Sequence, residues 1–105
     1  MKRYSVETTP SAEADIIESF VWGCETGGVE NAVSWANEIR TRILKNLSSS
    51  PHKYAIAPER DGSGRDYRQM IVARYRVIFY VEGKMVRVVH VTGSFIDPEQ
   101  ATTQK

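Results

Sequence analysis

Basic side chains are concentrated in the second half of the chain, where they could hold phosphate groups or acidic side chains. The set comprises Arg60, Arg65, Arg68, Arg74 and Arg76, followed by Lys84 and Arg87. A guanidinium group presents a planar fork of donors that matches phosphate and carboxylate oxygens. Tyr67 and Tyr75 lie beside these arginines and offer ring faces on which a nucleic-acid base could stack. The alternative is that the arginines are solvated residues at strand edges, paired with some of the 13 acidic residues.

Other kinds of catalytic chemistry find little support in the sequence. His52 and His90 are the only histidines, and no cysteine or carboxylate stands beside them at a ligand spacing. Cys24 is the only cysteine, which excludes an intramolecular disulfide and a cysteine-rich zinc site. Gly62 and Gly64 are not followed by the Lys-Ser/Thr pair of a phosphate-binding loop. The sequence therefore predicts no metal site and no cofactor.

The size and composition of the chain are typical of one globular domain. Its 105 residues are 41% hydrophobic and 26% charged, so we expect a single domain over residues 1–105 with a frayed polar tail over residues 98–105. The net charge of +1 gives no support for nucleic-acid binding, which would depend on local clusters. No segment approaches the roughly 18 apolar residues of a membrane span, and the start of the chain lacks a signal-peptide core. We expect a cytoplasmic protein with no membrane partner.

The first half of the chain is predicted to form one strand and two helices. Tyr4, Val6 and Thr8 alternate with polar residues, as in a short half-buried strand. Thr9 followed by Pro10 is typical of a helix start, so a helix should run to about Cys24. Its packed face would contain Ala12, Ile16, Ile17, Phe20 and Val21. Two glycines at 27 and 28 break this helix, and a second, antiparallel helix follows. The apolar positions of that helix are Ala32, Trp35, Ala36, Ile39, Ile43 and Leu47.

The second half is predicted to form a loop and three strands. The loop extends from the end of the second helix, near Pro51, to Asp66. β-branched and aromatic residues then predict strands over residues 67–72, 75–82 and 85–91, with Gly83 in the tight turn between the last two. Both alternating series of the middle strand are largely apolar, which places that strand at the centre of the sheet. The predicted fold class is α+β, with an N-terminal strand and a helical hairpin packed on a small, mainly antiparallel twisted sheet.

The order of several motifs resembles the RelE/ParE family of bacterial toxins. Residues 75–91, which read YRVIFYVEGKMVRVVHV, look like the hairpin that marks this family, and Arg68 precedes them on the previous strand. The opening Tyr4-Ser5-Val6 is similar to the N-terminal half of the family. Further matches there are Thr8, Ala12, Ala14-Asp15-Ile16, Ala32, Trp35 and Pro51. The resemblance extends over about residues 3 to 97.

This resemblance implies a fold, a partner and two alternative activities. The family fold is a helical hairpin on a twisted antiparallel sheet, and members are neutralised by a cognate antitoxin. Some members cut mRNA in the ribosomal A site with basic residues, and others inhibit DNA gyrase without cutting RNA. By the same resemblance, Arg76 matches an arginine that contacts the scissile phosphate in the nucleases, and Arg68 falls where they place a strand lysine.

Several nuclease positions are not matched. The second nuclease lysine would fall near Met70, and the arginine after the last strand would fall near Ser94 or Phe95. The tyrosine or histidine that completes many nuclease sites is missing after Gly93. Because loss of one charged donor at such a site costs roughly two to three powers of ten in rate, these departures argue against the usual cleavage mechanism.

We interpret the chain as the toxin of a type II toxin-antitoxin system that inhibits growth by binding a cellular target, with gyrase-type inhibition favoured. The alternatives are a ribosome-dependent mRNA endonuclease and a degenerate member that only binds its antitoxin. Arg76 and Arg68 would be catalytic only in a nuclease. Candidates for contacts with the target or with phosphate are Arg60, Arg65, Arg74, Tyr67, Tyr75 and Lys84. The expected partners are a cognate antitoxin and either DNA gyrase or the ribosome with its mRNA, and a homodimer is a further option.

Overall fold

The order of helices and strands agrees with the sequence prediction. A computed structural model describes residues 3–59, 62–72 and 75–93. Its elements are β1 (Ser5–Thr8), α1 (Pro10–Gly27), α2 (Val29–Leu47), a one-turn 3-10 helix (Pro51–Lys53), β2 (Arg68–Val72), β3 (Tyr75–Glu82) and β4 (Met85–Gly93). The predicted helical hairpin and the predicted α+β class are therefore confirmed. The tail expected over residues 98–105 lies outside the described residues.

Within the described residues the sheet has four strands, in the order β1-β4-β3-β2. β3 pairs antiparallel with both β2 and β4, whereas β1 runs parallel to β4 with Ser5 beside Met85. Gly83 adopts a φ of 62° in the β3–β4 turn, a conformation that favours glycine. Ile78 pairs with His90 and Phe79 pairs with Val88, so Val89 is the extra residue of a β-bulge. The bulge lets Val88 and Val91 point to the same face of the sheet.

Local chemistry explains where the helices begin and end. The Thr9 side chain accepts a hydrogen bond from the Ala12 amide at 3.3 Å, and Pro10 occupies the first turn, so α1 begins as predicted. α1 continues to Gly27, three residues beyond the predicted end. Gly28, with a φ of 92°, separates the two helices. None of the helices in the described residues is long and apolar enough to cross a membrane.

The main hydrophobic core lies between the helical hairpin and one face of the sheet. Its buried residues are Ala12, Ile16, Ile39, Ile43, Leu47, Met70, Val72, Val77, Phe79, Val86, Val88 and Val91. The predicted packed face of α1 is wrong at two positions, because Ile17 is 57% exposed and Val21 is 49% exposed. α1 buries Ala12 and Ile16 fully, while the side chains of Ile17 and Val21 are exposed to solvent.

A second, smaller cluster covers the opposite face of the sheet, which we call the outer face. It contains Ala57, Tyr67, Ile78 and Tyr80, with Val89 packed against them. The loop after α2 makes this cluster, because the Ala57 amide donates to the Tyr67 carbonyl and the Gln69 amide donates to the Ala55 carbonyl. Residues 77–80 of β3 are consequently buried without interruption. The prediction that the middle strand is central is confirmed, since β3 lies between β4 and β2.

Candidate functional site

The two arginines that would be catalytic in a nuclease lie on opposite faces of the sheet. Arg68 pairs with Phe79 across the β2–β3 ladder, and directly paired residues point to the same face. Phe79 belongs to the helix-side core, so Arg68 leaves the sheet on the helix side. Arg76 is three residues from Phe79 on the same strand and therefore points to the outer face. The structure does not bring these guanidinium groups together.

Arg76 is engaged by two partners on the outer face. Its Nη2 lies 2.9 Å from Oε1 of Glu59, and its Nε and Nη2 donate to Oε1 of Gln69 at 3.0 and 2.7 Å. The hydrogen bond from Arg76 lowers the pKa of Glu59. This arrangement neutralises the guanidinium charge and uses several of its donors.

Arg68 is bound to the backbone of the loop. Its Nη1 donates to the carbonyl oxygen of Tyr54 at 2.7 Å and to that of His52 at 3.2 Å. His52 lies in the 3-10 helix and Tyr54 directly follows it. The chain then returns along β2 through the pairing of Ile56 with Arg68. Arg68 therefore fixes the loop against the edge of the sheet.

The other predicted binding residues are dispersed. The Arg65 guanidinium lies 4.3 Å from the centre of the Tyr80 ring, and a hydrogen bond to the side chain of Tyr67 raises the pKa of Arg65. Lys84 is exposed at the β3–β4 turn, and its carbonyl accepts from the Ser5 amide. Arg60 and Arg74 lie outside the described residues.

The two tyrosines proposed for base stacking are packed against other aromatic residues. Tyr67 is 6% exposed and meets Tyr80 edge to face, with ring centres 5.7 Å apart. Tyr75 contacts Trp35 on the helix side, at a ring separation of 4.9 Å. The two rings lie on opposite faces of the sheet and do not form one stacking surface.

Comparison with known proteins gives the family. A sequence model described as the ParE toxin of the type II toxin-antitoxin system parDE matches residues 6–94. The chain belongs to the ParE toxin family. It is a toxin of a type II toxin-antitoxin system, and the resemblance to RelE/ParE toxins is confirmed. No curated protein matches the chain in sequence.

Solved structures share the fold of this ParE-family toxin. A chain of the chromosomal ParDE toxin-antitoxin system from P. aeruginosa is 19% identical with a TM-score of 0.71, over 87% of this chain and 96% of that chain. A chain of the RelBE2 toxin-antitoxin complex from Mycobacterium tuberculosis is 15% identical with a TM-score of 0.60, over 87% of this chain and 98% of that chain. At these identities the comparison establishes the architecture.

The ParE-family toxin has a cavity of about 350 Å³ on the outer face, next to Arg76. Its lining residues are Thr9, Ser11, Glu59, Tyr67, Ile78, Val89 and His90. Nδ1 of His90 lies 3.3 Å from Oδ2 of Asp15, which also accepts from the Val91 amide at 3.0 Å. Sequence reasoning did not identify Glu59 or Gln69 and named Asp15 only as part of a family match, because each of these side chains meets its partner only through the tertiary fold.

The charge distribution of this cavity is mixed. Glu59 and His90 line it, and each is paired, with Arg76 and Asp15 respectively. Among the described residues, no group of three or more histidine, cysteine or carboxylate side chains could hold a metal ion. The cavity therefore offers hydrogen-bonding groups above an apolar floor, and the charge of the Glu59 carboxylate in its wall is compensated by Arg76.

Proposed function

We propose that this ParE-family toxin inhibits growth by binding a protein target, with DNA gyrase as the first candidate, and that a cognate antitoxin neutralises it. Membership of the ParE family supports the proposal, and the similar folds come from a ParDE system and from a RelBE2 toxin-antitoxin complex. In this proposal the toxin acts through its surface and cuts no RNA.

The ion pair between Arg76 and Glu59 is the observation that carries the proposal. Cleavage of RNA by its own 2′-hydroxyl needs uncompensated positive charge at the phosphate. A phosphate approaching Arg76 would have to displace the Glu59 carboxylate, which lies 2.9 Å from the guanidinium. Arg68 gives no help, because its Nη1 is bound to two carbonyls and it points to the other face.

A nuclease remains the second candidate, and the outer-face cavity favours it. Glu59, Tyr67 and His90 line this cavity beside Arg76, and a histidine or carboxylate can accept or donate the protons that cleavage requires. For this candidate, the Glu59–Arg76 pair would have to open when RNA binds.

Two parallel assays with purified toxin distinguish the candidates. We expect inhibition of gyrase-catalysed supercoiling, and no cuts within A-site codons when a translated message is examined by primer extension. Arg42→Ala is a matched control for arginine loss, because Arg42 pairs with Glu38 on the surface of α2. Cuts that disappear in Arg76→Ala and persist in Arg42→Ala would overturn the proposal in favour of the nuclease.

The antitoxin part of the proposal has its own test. The toxin and the product of the neighbouring gene, produced together, should purify as one complex, and this complex should no longer inhibit gyrase. Separate elution of the two proteins would contradict neutralisation by direct binding.

A further inference from the structure

Two adjoining cavities form an aromatic groove on the helix side of the sheet, opposite to the face from which Arg76 projects. The larger cavity measures about 410 Å³ and the smaller one about 180 Å³, and both are lined by Ser19, Trp22 and Tyr75. Glu18 lines the larger cavity, and Trp35 and Asn31 line the smaller one. We call these six residues the tryptophan groove. It lies between the second half of α1, the first half of α2 and the start of β3.

The tryptophan groove exposes a large apolar surface together with a buried donor. Trp22 is 59% exposed, although tryptophan is a residue that folding usually removes from water. The Nε1 of Trp35 is buried and has no hydrogen-bond acceptor among the described residues. A buried donor without an acceptor is uncommon in native proteins. A bound peptide would cover the Trp22 ring, and a shift of the Trp35 ring toward the groove would let Nε1 donate to a backbone carbonyl of the peptide.

The two helices that line the groove carry unpaired carboxylates. All 14 lysines and arginines of the chain lie outside residues 10–39. Of the acidic residues in this stretch, Glu13, Asp15 and Glu38 are paired with Arg40, His90 and Arg42, which leaves Glu18, Glu25 and Glu30 without an ion pair among the described residues. Glu18, Trp22 and Glu25 follow one another at steps of four and three residues, so they share one side of α1. Neither Glu18 nor Glu25 forms an ion pair within the part of the chain that the structure describes.

We propose that the tryptophan groove binds a positively charged segment of another protein, anchored by an apolar side chain. The anchor packs between Trp22 and Tyr75, lysine or arginine side chains face Glu18 and Glu25, and a carbonyl of the segment accepts from Trp35. Nucleic acid and acidic peptides are repelled by the carboxylates. The inference rests on the proposed function, since it assigns this groove to the contact with the protein target.

Tryptophan fluorescence tests the proposal directly, because both tryptophans of the chain line the groove. The probes are a short lysine-leucine amphipathic peptide and a glutamate-leucine peptide of the same length and leucine positions. We expect a saturable change in emission with the lysine-leucine peptide only. An equal response to both peptides, or no response to either, would overturn the proposal.

Three variants test which residues of the groove act. Glu18→Lys should raise the Kd of the lysine-leucine peptide by about tenfold, and so should Trp22→Ala. Glu38→Lys is the matched control for charge, because Glu38 pairs with Arg42 on α2 and does not line the groove. Trp35→Phe removes the donor and leaves a smaller aromatic side chain, so we expect peptide affinity to fall. An equal rise in Kd in Glu38→Lys and Glu18→Lys would show that binding depends on the overall charge of the toxin and not on the groove. That result would overturn the proposal.

Gyrase assays with the same variants separate this inference from the proposed function. If wild-type toxin inhibits gyrase and both Glu18→Lys and Trp22→Ala inhibit it equally well, the groove is not the contact with the target and the inference fails. If wild-type toxin binds the lysine-leucine peptide but does not inhibit gyrase, peptide binding at the tryptophan groove is supported and the gyrase proposal fails. Loss of peptide binding on addition of antitoxin, with gyrase inhibition unchanged in the variants, would assign the groove to the antitoxin and overturn the inference.

Discussion

Among single residues, Arg68 and Arg76 of this toxin are both bound within the chain, so their first role is in the fold. Arg76 is held by Glu59 and Gln69, and Arg68 is held by the carbonyls of His52 and Tyr54. An arginine in a sheet is costly to bury unless its donors find acceptors, and both residues meet this requirement within the chain. Sequence similarity to a catalytic arginine therefore does not by itself establish an available cation.

The pairing of Glu59 with Arg76 predicts a specific dependence of stability on pH. The pKa of Glu59 in the folded protein lies below its ordinary value of 4.5, mainly because Arg76 donates to it. The pair therefore stabilises the fold above about pH 4.5, and this contribution is lost as the pH falls through the lower, folded-state pKa. The contribution is at most about 1 kcal/mol, because the Glu59 side chain is 37% exposed to water.

Urea unfolding of wild type and Glu59→Gln at several values between about pH 5 and pH 3 measures this contribution. We expect the free energy of unfolding to fall less steeply in Glu59→Gln than in wild type. Glu25→Gln, at an exposed residue without an ion pair among the described residues, should follow wild type. Parallel curves for wild type and Glu59→Gln would show that the pair adds nothing to stability.

Among the elements, the hydrogen-bond partner along the edge of β4 changes from β1 to α1. β1 pairs with β4 as far as Thr8 beside Val88, and the Thr9 amide still donates to the Val88 carbonyl. Beyond the bulge at Val89, the Val91 amide donates to Oδ2 of Asp15 on α1 instead of to a strand. One carboxylate on a helix thus replaces the missing strand and secures the end of β4.

Removal of this carboxylate should loosen the end of β4 alone. In Asp15→Ala we expect amide hydrogen exchange at Val91 to accelerate by about tenfold or more, whereas Asp15→Asn keeps an acceptor and most of the protection. The Ser5 amide, which donates to the Lys84 carbonyl at the other end of the β1–β4 pair, is the internal control. Equal acceleration at Ser5 and Val91 would indicate general destabilisation and contradict a local role.

At the scale of the whole molecule, local patterns allow prediction of the elements but not of the contacts between them. The N-cap at Thr9, the helix break at Gly28 and the hairpin at Gly83 depend on neighbouring residues, so the sequence alone locates them correctly. The partnership of Arg76 with Glu59 depends on how the loop folds back over the sheet, 17 residues away in sequence. The exposure of Ile17 and Val21 likewise depends on the angle at which α1 meets the sheet, which helical periodicity does not contain.

The parallel pairing of β1 with β4 also determines when, during translation, the sheet can be completed. Glu7 on β1 and Arg87 on β4 form an ion pair across 80 positions of the chain, so β1 has no strand partner until the ribosome has made β4. The helical hairpin depends on local contacts and can form earlier, whereas this non-local pairing comes last.

Ribosome-bound chains that end at Lys84 should be digested readily by protease, and chains extended beyond Gly93 by a linker that clears the ribosome should resist. Equal resistance in the two would contradict this order. A cell that translates this gene is thus exposed to folded toxin only after β4 has emerged, and an antitoxin already present at that moment meets each molecule as it becomes harmful.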